Sequence, residues 1–346
     1  MSERRLFLDE SPGETRGVVV LDGQPERLLI QRHDDDHRLD LDARLVGRVA
    51  SVEPAIGAAF LDVGGGLQVI LPFKPDARPV RGANLEVQVR GEARDGKLAT
   101  VRLIGEGAGA PRLVTPPPPL QERLQSFATG AAITEGLVAR AMADAAEDEA
   151  LEIVHPLPGG GSLAIEPTRA LTAIDVDLGE RKGADAKRAA RFANLAAMSE
   201  AARLLRLKGL GGLVVLDLVG RGHDGNALMS AARLAFAPDN PGVAIGPVGR
   251  FGTMELSIPR RTRPILERLS ESNGRQTDRA LAQRAIRRLE SEAVSAPGAR
   301  LVVKCAPTIA AVLAPLVTIL IERMGARFLV QSDPDRPRDR YDVSIG

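Results

Sequence analysis

"RALTAIDVD" (169–177) and "GLVVLDLVG" (212–220) are two apolar runs that each carry an acid near their end, and "GADAKRAARFANLAAMSEAARLLRLKGLGG" (183–212) between them reads as one long helix. Strand, helix and a second, nearly all-apolar strand argue for a parallel βαβ unit with a right-handed crossover. The helical period puts Phe192, Leu195 and Ser199 on the packing face, flanked by Ala196, Ala202 and Leu205. Gly209, Gly211 and Gly212 end the helix.

Parallel strands bring their C-terminal ends side by side, and open α/β sheets bind ligands there. Asp175 ends the first strand, Asp217 the second, and Asp177 shares the face of Asp175 while the strand lasts. Carboxylates held close repel and raise each other's pKa, and a divalent cation removes that conflict. Oxygen ligands with no nearby His or Cys suit Mg²⁺ or Mn²⁺. The expectation is a metal seat made by Asp175 and Asp217 that faces a phosphate. Residues 181–208 hold Arg181, Lys182, Lys187, Arg188, Arg191, Arg203, Arg206 and Lys208 against only Asp185 and Glu200. The first four follow Asp177 closely enough to hold the phosphates of a nucleic acid. The alternative is a solvated helix face.

Outward from this unit, residues 41–106 alternate in short runs such as "ARLVGRVASVE" and "GAAFLDVGGGLQVILPF", punctuated by glycine and proline. They predict a small closed β-barrel such as an OB-fold. "GEGAGAPRLVTPPPPL" (105–120) predicts a stiff, extended linker over 107–120. Residues 121–149 look helical, and "LEIVHPLPGGGSLAIEP" (151–167) reads as a hairpin. The expected organisation is N-terminal strands in 1–40 packing on a later domain, the barrel, the linker, a remnant over 121–168, a metal-binding α/β domain over 169–268, and a C-terminal α/β region over 269–346. The fold class is multi-domain α/β: a small barrel plus a βαβ-containing domain with a parallel or mixed sheet.

The net charge of +1 selects no partner, so local clusters must do so. Cys305 is the one cysteine, which rules out a disulfide within the chain, fits a reducing cytoplasm, and reads as core. "MSERRLFLDESPGE" lacks the apolar centre of a signal peptide. "IAAVLAPLVTILI" (309–321) is shorter than the ~20 residues that span a bilayer and reads as a buried helix, so no membrane partner is expected. The same helix is a candidate for homodimer contact. "HDDDH" (33–37) reads as a solvated loop sooner than a metal site, and His155 and His223 have no partner at triad or zinc spacing. "PRRTR" (259–263) either contacts a nucleic acid or solvates a loop, and it leans toward the first because it follows the Arg250 strand.

Together the motifs resemble those of the ribonuclease E/G family of endoribonucleases. "RALTAIDVD", "LGGLVVLDL", the joining helix with Asn194, "VGRFGTMELS" (248–257), the barrel segment and "GLVAR" (136–140) carry the resemblance. It implies Mg²⁺-dependent cleavage of single-stranded RNA in RNA processing or decay, leaving 5′-phosphate and 3′-hydroxyl ends, with Asp175 and Asp217 as catalytic metal ligands. It also implies RNA contacts by Phe60 and Lys97 on the barrel, and a 5′-phosphate pocket that uses Arg140 and Arg250. Asp177 stands where the family has Asn. It is either an added ligand, a source of repulsion toward the scissile phosphate, or an inert turn residue. Ala141 replaces a sensing threonine, and Ile70 an aromatic. "LSESNGRQTDRA" (269–280) stands where the family has its zinc-binding cysteines, so neither zinc nor a zinc-linked dimer is expected. The stretch between Arg140 and Asp175 is shortened. The alternative reading is an RNA-binding paralogue with weak or lost cleavage that modulates RNA turnover.

Overall fold

The chain opens with an antiparallel meander of β1 (Arg4–Ser11), β2 (Glu14–Leu21) and β3 (Gln24–Arg32). The computed structural model describes residues 3–94, 96–179 and 186–346. Its backbone clusters into two units: Met1–Asp35, Pro119–Glu147 and Ile265–Gly346 form one, Asp36–Pro118 and Asp148–Pro264 the other. The "HDDDH" stretch straddles that division, and its side chains have structural tasks. His33 meets Thr15 Oγ1 at 2.9 Å, Asp34 and Asp35 pair with Arg279, Asp36 caps a 3₁₀ turn, and His37 Nδ1 lies 2.7 Å from Asp40.

The second unit begins with β4 (Arg44–Glu53), β5 (Ala58–Gly64), β6 (Leu67–Pro72), β7 (Asn84–Gly91) and β8 (Ala99–Glu106). They pair in the order β4-β5-β6-β8-β7, and β7 returns to β4. Counted along the chain, the ring runs 1-2-3-5-4-1, the closed five-stranded barrel expected for an OB-fold. Alternate residues, among them Leu45, Val49, Leu61, Val69, Val87 and Val101, fill its interior. β9 (Arg112–Thr115) pairs with β4, so part of the expected linker is sheet. The sequence missed this because the flanking Gly and Pro residues outweigh four strand residues.

α1 (Leu120–Gln125), β10 (Ile133–Thr134) and α2 (Leu137–Leu151) replace the continuous helix expected over 121–149. β10 pairs parallel to β1. Next come β11 (Val154–Pro156), β12 (Ser162–Pro167), β13 (Thr172–Asp177), α3 (Ala186–Lys208), β14 (Gly212–Asp217), α4 (Gly225–Ala235), β15 (Ala244–Val248) and β16 (Thr253–Ile258). They build one sheet ordered β11-β12-β13-β14-β16-β15. Only β13 and β14 run parallel, joined by α3 as the sequence predicted. The packing face of α3 differs from the expected one. Ala193, Ala197, Met198, Ala201, Leu204 and Leu205 are buried, whereas Phe192 is 55% exposed and Ser199 faces solvent. A face rich in alanine lets backbones approach closely, so residue size and not hydropathy alone chose the buried side.

α5 (Ile265–Leu269), α6 (Asp278–Ser295), β17 (Leu301–Cys305), α7 (Pro307–Leu313), α8 (Val317–Met324), β18 (Phe328–Ser332) and β19 (Tyr341–Ile345) complete the first unit. Thr277 caps α6 by accepting from Ala280 N at 3.1 Å, and Leu281, Ile286 and Leu289 pack with Val303 and Cys305. The apolar run 309–321 is not the buried helix expected. A 3₁₀ turn at Ala314–Leu316 divides it, only 17% of Pro307–Met324 is buried, and Ile319 and Ile321 are exposed. By length and composition that stretch qualifies as a membrane-span candidate. The turn separates helices of seven and eight residues.

A buried ionic cluster binds this unit together. Arg16 pairs with Asp9 and Glu147, and Arg287 with Glu14 and Glu147. Burial pushes the Glu147 carboxyl upward, but Arg287, Arg16 and Arg284 outweigh it and hold the group below the usual carboxylate range.

Candidate active site

In β13 the residues alternate buried and exposed: Thr172, Ile174 and Val176 face the helices, while Ala173, Asp175 and Asp177 face out. β14 likewise buries Val214 and Leu216 and exposes Asp217. The parallel register sets Asp175 directly opposite Asp217. Neighbouring strands lie ~4.8 Å apart, so the two carboxylates leave the same face at the same strand-end edge. Among the described residues, neither has a side-chain partner that would neutralise it. Asp177 lies two residues further along, and its Oδ1 accepts from Gly179 N at 2.9 Å, which gives it a turn-forming task.

Two exposed carboxylates side by side fit a hard, oxygen-seeking cation. Among the described residues, no group of three or more His, Cys, Asp or Glu side chains gathers around them or elsewhere to hold an ion. Water and substrate phosphate would supply the remaining ligands, as is usual for Mg²⁺.

The antiparallel partner of β14 is β16, which places Thr253 opposite Asp217. The turn that enters β16 is fastened to this edge: Leu218 N donates to Gly252 O at 3.1 Å, and Gly249 N to Thr253 O at 2.8 Å. That turn carries Arg250, exposed, with its guanidinium 4.6 Å from the centre of the Phe251 ring. Phe251 is 78% exposed. Sequence reading passed over Phe251. The signal was a lone aromatic in "GRFG", in a chain with only eight Phe.

The basic helix divides into two halves with different tasks. Lys187, Arg188 and Arg191 are exposed in the first turns of α3. Arg181 and Lys182, expected to touch RNA, lie outside the described residues. In the second half, Arg203 pairs with Glu200 and Glu149, Arg206 with Asp239, and Lys208 Nζ donates to the carbonyls of Ala150 and Glu152. Burial pushes the Lys208 ammonium down to about 8. These three cations are structural. His155 is buried beside them, and desolvation lowers its pKa.

"PRRTR" also departs from its expected role. Arg260 Nε donates to Gly211 O at 2.9 Å, Glu92 N donates to Arg261 O at 2.8 Å, and Arg263 N donates to Glu92 Oε2 at 2.9 Å. The segment joins barrel to sheet. It also explains Gly212, where a Cβ would fall 2.2 Å from Arg260 Nε.

On the barrel, Phe60 is half-buried beside Ile70, its cross-strand partner, and Ile70 faces Thr100 of β8. Lys97 is exposed in the turn leading to β8. Arg140 requires a correction. It is 9% exposed in the other unit, where Nε donates to Asp9 Oδ1 at 3.0 Å and Nη2 donates to Ser11 Oγ and Glu290 Oε2, both at 2.9 Å. Its donors are committed to internal acids, so it serves packing and not an RNA phosphate. This was not legible in the residue order, because those acids lie about 130 and 150 positions away.

Residues 119–261 match the sequence model of the Ribonuclease E/G family, and they contain β13, α3, β14 and the Arg250 turn. Over this segment the chain is similar to the ribonuclease E/G family. Ribonuclease E of Escherichia coli K12 is 34% identical over 148 residues, 40% of this chain and 14% of that protein. Ribonuclease E of Haemophilus influenzae is 40% identical over 107 residues, 30% of this chain and 11% of that protein. A chloroplastic ribonuclease E/G-like protein of Arabidopsis thaliana is 35% identical over 114 residues, 32% of this chain and 11% of that protein. The match therefore spans a small part of each relative. The family segment excludes the barrel, whose assignment rests on its strand order.

Proposed function

We propose that this protein is a metal-dependent endoribonuclease that cleaves single-stranded RNA and leaves 5′-phosphate and 3′-hydroxyl ends. The observation that carries the reading is the register of Asp175 against Asp217 at a parallel strand-end edge. Asp175 and Asp217 would hold Mg²⁺, or Mn²⁺ in its place. When bound, the ion supplies a water of lowered pKa and stabilises charge on the phosphate oxygens.

The chain's own residues do the rest. Asp175 and Asp217 fix where the scissile phosphate stops along the edge. Arg250, exposed on the turn fastened to the same edge, offsets the charge of neighbouring phosphates. Phe251, exposed and paired with Arg250, offers a stacking surface for a base beside the cut. Phe60 and Lys97 on the barrel would hold the strand further along. In the reaction, water oxygen adds to phosphorus, the bond to the 3′-oxygen breaks, and that oxygen takes up a proton.

The test is cleavage of a 5′-monophosphorylated single-stranded RNA in Mg²⁺, with end analysis of the products. Asp217→Asn should abolish cutting and leave RNA binding largely intact. A wild-type protein that binds RNA yet never cuts it, with Mg²⁺ or Mn²⁺, would establish the RNA-binding paralogue instead.

A further inference from the structure

A cavity of about 440 Å³ opens at the C-terminal edge of the sheet, on the side that carries the helices. Its walls are the first turns of α3 and the segment from the end of β14 into α4. The acids Asp175 and Asp217 leave the opposite, open face, so this cavity is a separate feature of the same edge.

The walls are held firmly. Asn194, 1% exposed, donates from Nδ2 to Val219 O at 2.9 Å and accepts from Val219 N at 3.1 Å. This pair clamps the loop after β14 onto α3. Gly220, with φ +92°, completes the approach, since a Cβ there would lie 3.0 Å from Ala190 Cβ. Asp224 caps α4 by accepting from Ala227 N at 3.1 Å, and Arg191 pairs with its other oxygen at 3.1 Å. The pocket therefore rests on two helices and a clamped loop.

Its chemistry has two parts. The rim carries Lys187, Arg188, Arg191, Arg221 and His223 against the one acid Asp224. The floor is apolar, with Leu195, Val219 and Leu228. A cationic rim over an apolar floor of this size suits a flat ring joined to a phosphate. We infer that this cavity binds one nucleotide, with its base on the floor between α3 and α4 and its phosphate on the Arg221 and Lys187 rim.

The nucleotide has two sources, a free nucleoside monophosphate or one unit of an RNA strand. Only the second rests on the ribonuclease reading. Binding of free nucleotide is measured without any cleavage, so the two ideas fail separately.

The experiment titrates the full chain with adenosine 5′-monophosphate, adenosine and orthophosphate by calorimetry. Short oligoribonucleotides with and without a 5′-phosphate form a second arm. Adenosine 5′-monophosphate should bind roughly tenfold tighter than either fragment, and Arg221→Glu should weaken it by roughly tenfold, about 1.4 kcal/mol. Ala227 also lines the cavity, so Ala227→Trp, which fills it without altering charge, should also remove binding, and circular dichroism checks that both variants fold. Tighter binding by the oligoribonucleotides than by the monophosphate identifies a strand unit, and the reverse identifies a free nucleotide. Adenosine 5′-monophosphate binding no better than orthophosphate, or surviving both folded variants, would overturn the inference.

Discussion

Replacing Arg140 with Met removes a guanidinium that is 9% exposed and donates to Asp9, Ser11 and Glu290. Breaking a buried ion pair by deleting one partner costs about 3–5 kcal/mol, because the other charge stays buried. Here each acid keeps a second cation. Asp9 retains Arg16, and Glu290 retains Arg323 at 2.9 Å. The expected loss is therefore at the lower end, about 3 kcal/mol. Urea unfolding of wild type and variant reads this directly as a drop in midpoint. Cleavage of 5′-monophosphorylated against 5′-hydroxyl RNA, measured where both proteins are folded, reads the alternative role. The variant should keep whatever 5′-end preference the wild type has. A variant of unchanged stability that loses that preference would refute the structural assignment of Arg140 and restore it to a phosphate pocket.

Phe251→Ala should weaken single-stranded RNA binding by about 1–3 kcal/mol, the usual worth of one stacked base. It should leave the unfolding midpoint unchanged, since the ring is 78% exposed; filter binding and urea titration check the pair. Lys208→Met isolates a pH effect. The folded state releases this proton near pH 8, whereas the unfolded chain keeps it to about 10.5, so the cost of the buried charge is full below pH 8 and is relieved as pH rises through that window. The stability difference between wild type and variant should shift in favour of wild type by about 3 kcal/mol from pH 7.5 to 11. A difference that stays flat with pH would contradict this. Asn194→Ala removes both hydrogen bonds to the part-buried Val219 backbone and should cost about 1 kcal/mol, measured by thermal unfolding.

The βαβ unit was legible because two apolar runs flank one long helical pattern, and strand handedness then leaves little choice for where Asp175 and Asp217 meet. The barrel was legible through alternation, and its ring order agrees with the OB-fold. Packing geometry was not legible. Phe192 outranks Ala193 and Ala197 in hydropathy, yet the helix buries the alanines because they let it sit close to the sheet. The basic run 181–208 carried no mark of the point where its cations change from solvent-facing to internally paired. That point is fixed by Glu149 and Asp239, which lie on other elements. Arg140 and "PRRTR" misled for the same reason: their partners are distant in sequence, and a single chain read in order does not reveal them.

The most direct test of the account is diffraction from crystals soaked in Mn²⁺, with anomalous maps of wild type and Asp217→Asn. One anomalous peak is expected in the wild type, touching both Asp175 and Asp217, and no peak in the variant. Carboxylates turned away from each other, with manganese absent or bound elsewhere, would contradict it.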